Sequence, residues 1–443
     1  MRKILIIGAG RSSISLIDYL LDAATVQQWH ITVADVDLHL AQAKTRQHPM
    51  AQAIAFDSKN AELRRKLVAE HDLVISMLPA FMHGDVARDC VEFGKHLATA
   101  SYVSEDMKKL DAPARKKGVL LLNECGLDPG IDHASAMKVI HELQKAGNTI
   151  HMFKSFCGGL VAPESNTNPW GYKFSWNPRN VVLAGQSTAQ YLDNGTLKFI
   201  PYNRLFTQTD TVTVDGWGSF DAYANRDSIG YAESYGLQSA TTMLRGTLRQ
   251  KGYCEAWNVF VKVGLTDDSS KIYHTNKLSY TGLLDSFLPA GPGTVKEKLR
   301  NLMGTQWSKE IEEKLDYLEL FSNKPIQLEE GTPAQLLQAL LEEKWRLEPD
   351  DKDMIVMQHQ FGYSHSSNPG VQRTRYSSLV VIGRNQQHTA MAQTVGLPLA
   401  ITVKNFLLGK FNLAGVQIPV VPELYEPMLQ ELHQLGIVFT EKE

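Results

Sequence analysis

The stretch Lys3-Ile-Leu-Ile-Ile-Gly-Ala-Gly-Arg-Ser-Ser13 decides the fold. Lys3–Ile7 is a short apolar run that reads as a buried strand, and Gly8–Gly10 is the turn. Ser12–Leu21, with Ile14, Ile17 and Leu21 at helical spacing, is the helix that follows. The turn has the form G-x-G-x-x-S. Gly8 permits the tight bend, and Gly10 lets a pyrophosphate approach the backbone. Beyond it, the helix N-terminus offers free N–H groups and the positive end of a dipole. Ser12 and Ser13 complete the phosphate turn. Ser13 stands in place of a third glycine, small enough for close packing, with a hydroxyl placed to cap the helix. Arg11 reads equally as a diphosphate partner and as a solvated helix residue. The motif alone is weak, but a strand before it and a helix after it are the context a dinucleotide site requires. The competing reading is a glycine turn in an α/β domain with no cofactor.

Working outward, the pattern repeats. Strands are expected at Ile31–Ala34, Ala53–Phe56, Leu73–Met77, His96–Ala100 and Val119–Asn123, separated by amphipathic helices such as Asn60–His71 and Met82–Phe93. Strand, crossover helix and strand in succession imply a Rossmann-like doubly wound parallel sheet over residues 1–125. Asp35 ends the second strand, where a carboxylate accepts the ribose hydroxyls of NAD and repels a 2′-phosphate; capping the next helix is its other reading. The next residues, Val36, Asp37 and Leu38, include no arginine. NAD is therefore favoured, with NADP as the alternative. Ser76-Met-Leu-Pro79 leaves the fourth strand where a loop covers the nicotinamide half, with Leu78 as apolar surface; a simple strand exit is the plainer reading.

Near Cys125 the texture changes. Gly126-Leu-Asp-Pro-Gly130 feeds a helix from about Asp132 to Gln144. Alternating stretches such as Thr211–Val214, Val259–Val263, Met354–Phe361 and Ser377–Ile382 read as strands of a second, mixed sheet. Residues 126–236 and 351–388 are expected to form an α+β substrate and dimerisation domain. A mostly helical insertion covers 237–350, and the segment 389–443 packs back on the first domain. The chain has 443 residues, 43% apolar and 21% charged, enough to bury a core without disulfides or metals. Lys+Arg of 45 against Asp+Glu of 48 gives a net charge of −3, which offers no global attraction for nucleic acid or an anionic membrane. Four scattered cysteines form neither a disulfide framework nor a zinc site. No run approaches a membrane span and no signal peptide is visible, so a cytoplasmic location is expected. No metal site is expected, since there is no H-E-x-x-H.

Several stretches beyond the glycine turn resemble one family. These are Ala100-Ser-Tyr-Val-Ser104, Asn123-Glu-Cys-Gly-Leu-Asp-Pro-Gly-Ile-Asp-His133, Ser155-Phe-Cys-Gly-Gly-Leu-Val-Ala-Pro-Glu164 and Asn168-Pro-Trp-Gly-Tyr-Lys-Phe-Ser-Trp176. With Asn225-Arg-Asp-Ser228, Arg245-Gly-Thr-Leu-Arg249 and Thr394-Val-Gly-Leu-Pro398 they resemble the glutamate-forming saccharopine dehydrogenases, or saccharopine reductases. The block from Cys157 to Trp176 is the most specific.

The resemblance implies NAD(P)-dependent interconversion of saccharopine with 2-aminoadipate 6-semialdehyde plus glutamate, in lysine metabolism. Such a substrate, rich in carboxylates, needs guanidinium clamps, an acceptor for its amine and a proton relay. By the resemblance Arg226 and Arg249 are the clamps, with Thr247 and Leu248 beside them; the plainer reading is surface arginines. Ser101, Tyr102 and Asp128 contact substrate, and Asp128, Tyr102 or Cys157 relays protons. Asp128 before Pro129 is also a stock helix start, and a buried inert thiol is the commoner fate of Cys157. Leu127 and Trp176 are expected on the cofactor, although Trp176 and Tyr172 equally fit an aromatic core. The fungal members carry a basic residue after the second strand and use NADP; here Asp35 stands without one, which supports NAD. A homodimer is expected. The alternatives are a related amine dehydrogenase, of the carboxynorspermidine or lysine 6-dehydrogenase kind, and a nucleotide-binding protein without turnover.

Overall fold

A computed structural model describes all 443 residues, which separate into two compact units. The first comprises Met1–Thr149, His365–Ser367 and Leu379–Thr440; the second comprises Ile150–Ser364, Asn368–Ser378 and Glu441–Glu443.

The first unit is built on a parallel sheet. Its strands are β1 (Lys3–Ile7), β2 (His30–Asp35), β3 (Ala51–Ala55), β4 (Leu73–Ser76), β5 (His96–Ala98) and β6 (Leu120–Leu122), ordered 3-2-1-4-5-6. A seventh strand from late in the chain, Gly415–Gln417, pairs in parallel with β6. The order reverses between β1 and β4, and ligands bind at the carboxyl ends of strands around such a switch point. Its longer helices up to Thr149 are α1 (Ile14–Gln27), α2 (Leu38–Thr45), α3 (Ala61–Glu70), α4 (His83–Phe93) and α5 (Ile131–Lys145). β1, β2 and β4 are buried along nearly all of their length because both faces of the sheet are covered. The unit extends past residue 125, the expected limit of this domain. Helix α5 packs against Pro422–Gln434, and Ala390–Leu407 lies along α1, where the bare Gly396 meets the backbone of Leu16. Thr389 caps that returning helix by accepting from the Ala392 N–H.

The second unit carries a nine-stranded mixed sheet. Its main path runs through β10 (Asp210–Val214), β11 (Gly218–Ala224), β12 (Thr242–Gln250), β7 (Asn148–Val161), β13 (Asp353–His365) and β14 (Asn368–Ile382). An outer hairpin, β8 (Ala189–Asp193) with β9 (Thr196–Ile200), joins through β12. β12 pairs in parallel with β7 and antiparallel with β11. The stretch 237–350 opens with β12 and continues as helices, beginning with α6 (Tyr253–Val263). The strand expected at Val259–Val263 is thus the last part of a helix. Tyr253, Cys254, Ala256, Trp257, Val259, Phe260 and Val263 are all buried, and an element buried on most sides loses the one-sided period that marks a helix.

Candidate functional site

The glycine turn leaves β1 with Gly8 at φ +106°, in the region only glycine adopts without strain. A Cβ there would stand 3.0 Å from the carbonyl oxygen of Met77, so the bare residue also lets the turn lie against the exit of β4. Gly10 is exposed, and a Cβ on it would meet nothing within 4 Å. The face that a pyrophosphate would approach is open. Arg11–Ser13 form a single 3₁₀ turn before α1. Ser13 is buried, as its small size allows, but its hydroxyl does not cap the helix; it donates back to the Gly10 carbonyl at 2.9 Å. Arg11 is exposed, Ser12 half-buried.

Asp35 does not cap α2; Asp37 does, accepting from the N–H groups of His39 and Leu40. Asp35 instead accepts the Ala9 N–H at 2.6 Å and the Asp37 N–H at 2.9 Å, tying the glycine turn to the end of β2. Lys44 on α2 feels Asp18 and Asp35, but burial dominates and lowers its pKa to about 8. It is a basic group near Asp35 that a reading of the next few residues misses.

At the carboxyl ends of β4 and β5 a polar chain is assembled. Ser101 lies 2.7 Å from Nε2 of His83, whose Nδ1 lies 2.8 Å from Ser76. His83 opens α4 and is buried, and burial lowers its pKa to about 4, so it is neutral at physiological pH. Tyr102 donates its hydroxyl to Oδ1 of Asp128 at 3.2 Å. Asp128 does not start α5 as an N-cap. Gly130 occupies that position, at φ +148°, and the Asp132 carboxylate accepts its N–H at 2.5 Å. Leu127 is buried and Leu78 half-buried.

In the second unit Arg249, near the end of β12, is only 4% exposed. Its guanidinium carbon lies 5.4 Å from the Tyr253 ring centre, 5.5 Å from Tyr172 and 5.8 Å from Tyr223. Nη1 donates to the Leu248 carbonyl at 3.1 Å, Nε has no partner, and no carboxylate pairs with the group. Burial raises the pKa of all three phenols, which are therefore neutral and supply no counter-charge, while Arg249 itself opposes that rise. Trp176 donates to the Tyr172 hydroxyl at 3.2 Å, so Tyr172 touches both. Thr247 faces Cys157 across the β12–β7 ladder and Tyr223 across β11. Arg226 is not beside Arg249. It is exposed, at φ +48°, and follows Asn225, whose N–H donates to the Arg245 carbonyl. Four residues of β12 separate that level from Arg249, about 13 Å along the strand. Arg245, buried with its guanidinium 4.6 Å from the Tyr231 ring centre, was not singled out from sequence, although it opens the motif that Arg249 closes.

The first unit thus has a bare glycine face, a helix start and a carboxylate at the end of β2, a donor set that fits a dinucleotide. The second has a desolvated guanidinium suited to an anionic ligand.

Comparison with known proteins gives two family matches. Residues 4–122 match the saccharopine dehydrogenase NADP binding domain, and residues 126–437 match the saccharopine dehydrogenase C-terminal domain. The saccharopine dehydrogenase [NADP(+), L-glutamate-forming] of Schizosaccharomyces pombe is 34% identical over 451 residues, covering 100% of this chain and 99% of that one. The mitochondrial alpha-aminoadipic semialdehyde synthase of Mus musculus is 35% identical over 99% of this chain, which spans 47% of that protein. The solved apo saccharopine dehydrogenase (L-Glu forming) from Saccharomyces cerevisiae superposes with a TM-score of 0.89 at 33% identity, covering 100% of this chain and 99% of that one.

Proposed function

Because this chain belongs to the saccharopine dehydrogenase family, we propose that it is an NAD(P)-dependent oxidoreductase of the L-glutamate-forming type. It interconverts saccharopine with 2-aminoadipate 6-semialdehyde and glutamate, within lysine metabolism. The nucleotide, when bound, accepts or returns a hydride. Oxidation leaves an imine on the lysine-derived carbon, and water opens it to the aldehyde and glutamate's amine.

In this reading Gly8, Gly10, Arg11, Ser12, Ser13, Asp35, Leu78, Leu127 and Trp176 hold the nucleotide. Asp35 favours a free ribose 2′-hydroxyl, whereas Lys44 supplies positive charge for a 2′-phosphate; NAD is our preferred cofactor and NADP the alternative. Ser101, Tyr102 and Asp128 meet the substrate amine, and the Tyr102–Asp128 pair takes its proton. Cys157 is a further relay candidate. Arg226, Thr247, Leu248 and Arg249 hold carboxylates, and the spacing of the two arginines suits a long substrate charged at both ends.

The observation that carries the reading is Arg249. A buried charge without a paired carboxylate is costly, and a ligand carboxylate would relieve that cost. The test follows reduced nicotinamide with saccharopine and each nucleotide. Wild type should turn over, and Arg249→Ala should raise the saccharopine KM at least about 100-fold while leaving the nucleotide KM unchanged. Equal effects on both constants would remove Arg249 from the substrate. No turnover with saccharopine by wild type would sink the assignment and favour a different amine.

Four buried cysteines, none in a disulfide, support a reducing compartment, the cytoplasm in our reading; no helix is long and apolar enough to cross a membrane. Exposed Leu197 and Phe199 on β9, with Trp217, support a homodimer.

A further inference from the structure

We propose that Glu124, oriented by His133, is a positioning residue that fixes the Tyr102 loop against Asp128. This deepens the reading above and rests on it, since Tyr102 and Asp128 are there assigned to the substrate amine.

Glu124 sits two residues beyond β6, buried, with φ +54°. A non-glycine residue in the left-handed region is disfavoured, and glycine or asparagine would adopt it more cheaply. A glutamate there is explained by what it holds. Its N–H donates to the Ser101 carbonyl at 3.0 Å, and its Oε1 accepts the Val103 N–H at 2.9 Å. The two bonds bracket Tyr102, one on either side. Tyr102 in turn donates to Asp128.

The other oxygen, Oε2, lies 2.7 Å from Nε2 of His133. His133 is fully buried in the first turn of α5, with its Nδ1 3.7 Å from Oδ2 of Asp132. Asp132 accepts the N–H of Gly130, at the end of the turn that carries Asp128. One buried cluster therefore grips both segments whose tips meet in the Tyr102–Asp128 hydrogen bond. With both carboxylate oxygens engaged, the burial of Glu124 is compensated. A carboxylate locked by a second group is the kind of support that a reacting constellation requires, because small misplacements cost much rate.

The test uses the full chain and three variants. Glu124→Ala removes the brace, Glu124→Gln keeps an oxygen for the Val103 N–H, and His133→Gln leaves Glu124 in place but loosens it. Glu124→Ala should lower kcat/KM for saccharopine about 100-fold. Its dissociation constant for reduced nucleotide should stay at the wild-type value, and Glu124→Gln should recover most of the rate. Amide exchange across residues 101–104 should quicken in Glu124→Ala with the rest of the chain unchanged. If Glu124→Ala does not fold, His133→Gln carries the same expectations in milder form.

Unchanged exchange at 101–104 would overturn the proposal. So would nucleotide affinity falling in step with turnover, which marks a general structural role. Wild type that ignores saccharopine would defeat the functional reading instead, and the exchange measurement would still decide whether Glu124 holds the loop.

Discussion

His83 shows how a single side chain couples the site to stability. Its folded pKa is depressed to about 4 by burial, from an ordinary 6.5. Between those values the unfolded chain binds a proton and the folded chain does not, so stability falls as pH drops through that window. The loss is about 2 kcal/mol by pH 5 and about 3 kcal/mol by pH 4. Denaturant midpoints at pH 7 and pH 5 should differ by that increment more in wild type than in His83→Gln; parallel behaviour of the two proteins would mean His83 is not buried neutral. Nothing in the sequence marks His83, because its partners Ser76 and Ser101 come from two strand ends. Glu124 was equally hidden inside a quoted motif. Residues in the glycine turn were legible because their contacts are local. Arg249 was legible by resemblance alone, and its cage of Tyr172, Tyr223 and Tyr253 comes from three separated segments.

Among the elements, β7 and β12 show why Gly158 of Phe156-Cys-Gly-Gly159 must be bare. A Cβ at Gly158 would sit 2.5 Å from the Leu248 carbonyl oxygen, and one at Gly246 would meet the Phe156 ring at 2.7 Å. The strands interlock through bare positions on both sides, and the Leu248 carbonyl is the acceptor for Arg249. Gly158→Ala should therefore cost about 1–3 kcal/mol in denaturant unfolding and also raise the saccharopine KM; a stable variant with an unaltered KM would separate the ladder from the clamp we propose at Arg249. The alternation of strands and helices in the first 125 residues was readable because a parallel sheet covered on both faces writes itself as short apolar runs. The helix at Tyr253–Val263 was misread because an element buried nearly all round carries β-branched residues in no distinctive period. The competing reading of Asp128 as a cap fails because, although an Asp-Pro pair fits a helix start, here the chain turns once more before α5 begins.

For the whole molecule, the expected assembly is two copies of the 49.5 kDa chain. Sedimentation should report twice that mass, and Phe199→Asp should return the single-chain value; a monomeric wild type would leave the apolar hairpin unexplained. Sequence indicated two sheets and a returning C-terminal segment, but the division at Thr149 and Ile150 depends on which helices α5 packs against, a tertiary fact. That return has a further consequence. The helix that flanks the glycine turn and the strand that closes the first sheet belong to residues 390–417, made long after the turn itself. A nascent chain therefore carries its nucleotide motif with that half-sheet's flank bare while the intervening residues of the second unit are made. The glycine turn is thus sealed well after it is synthesised, and its apolar flank stays open to solvent through that interval.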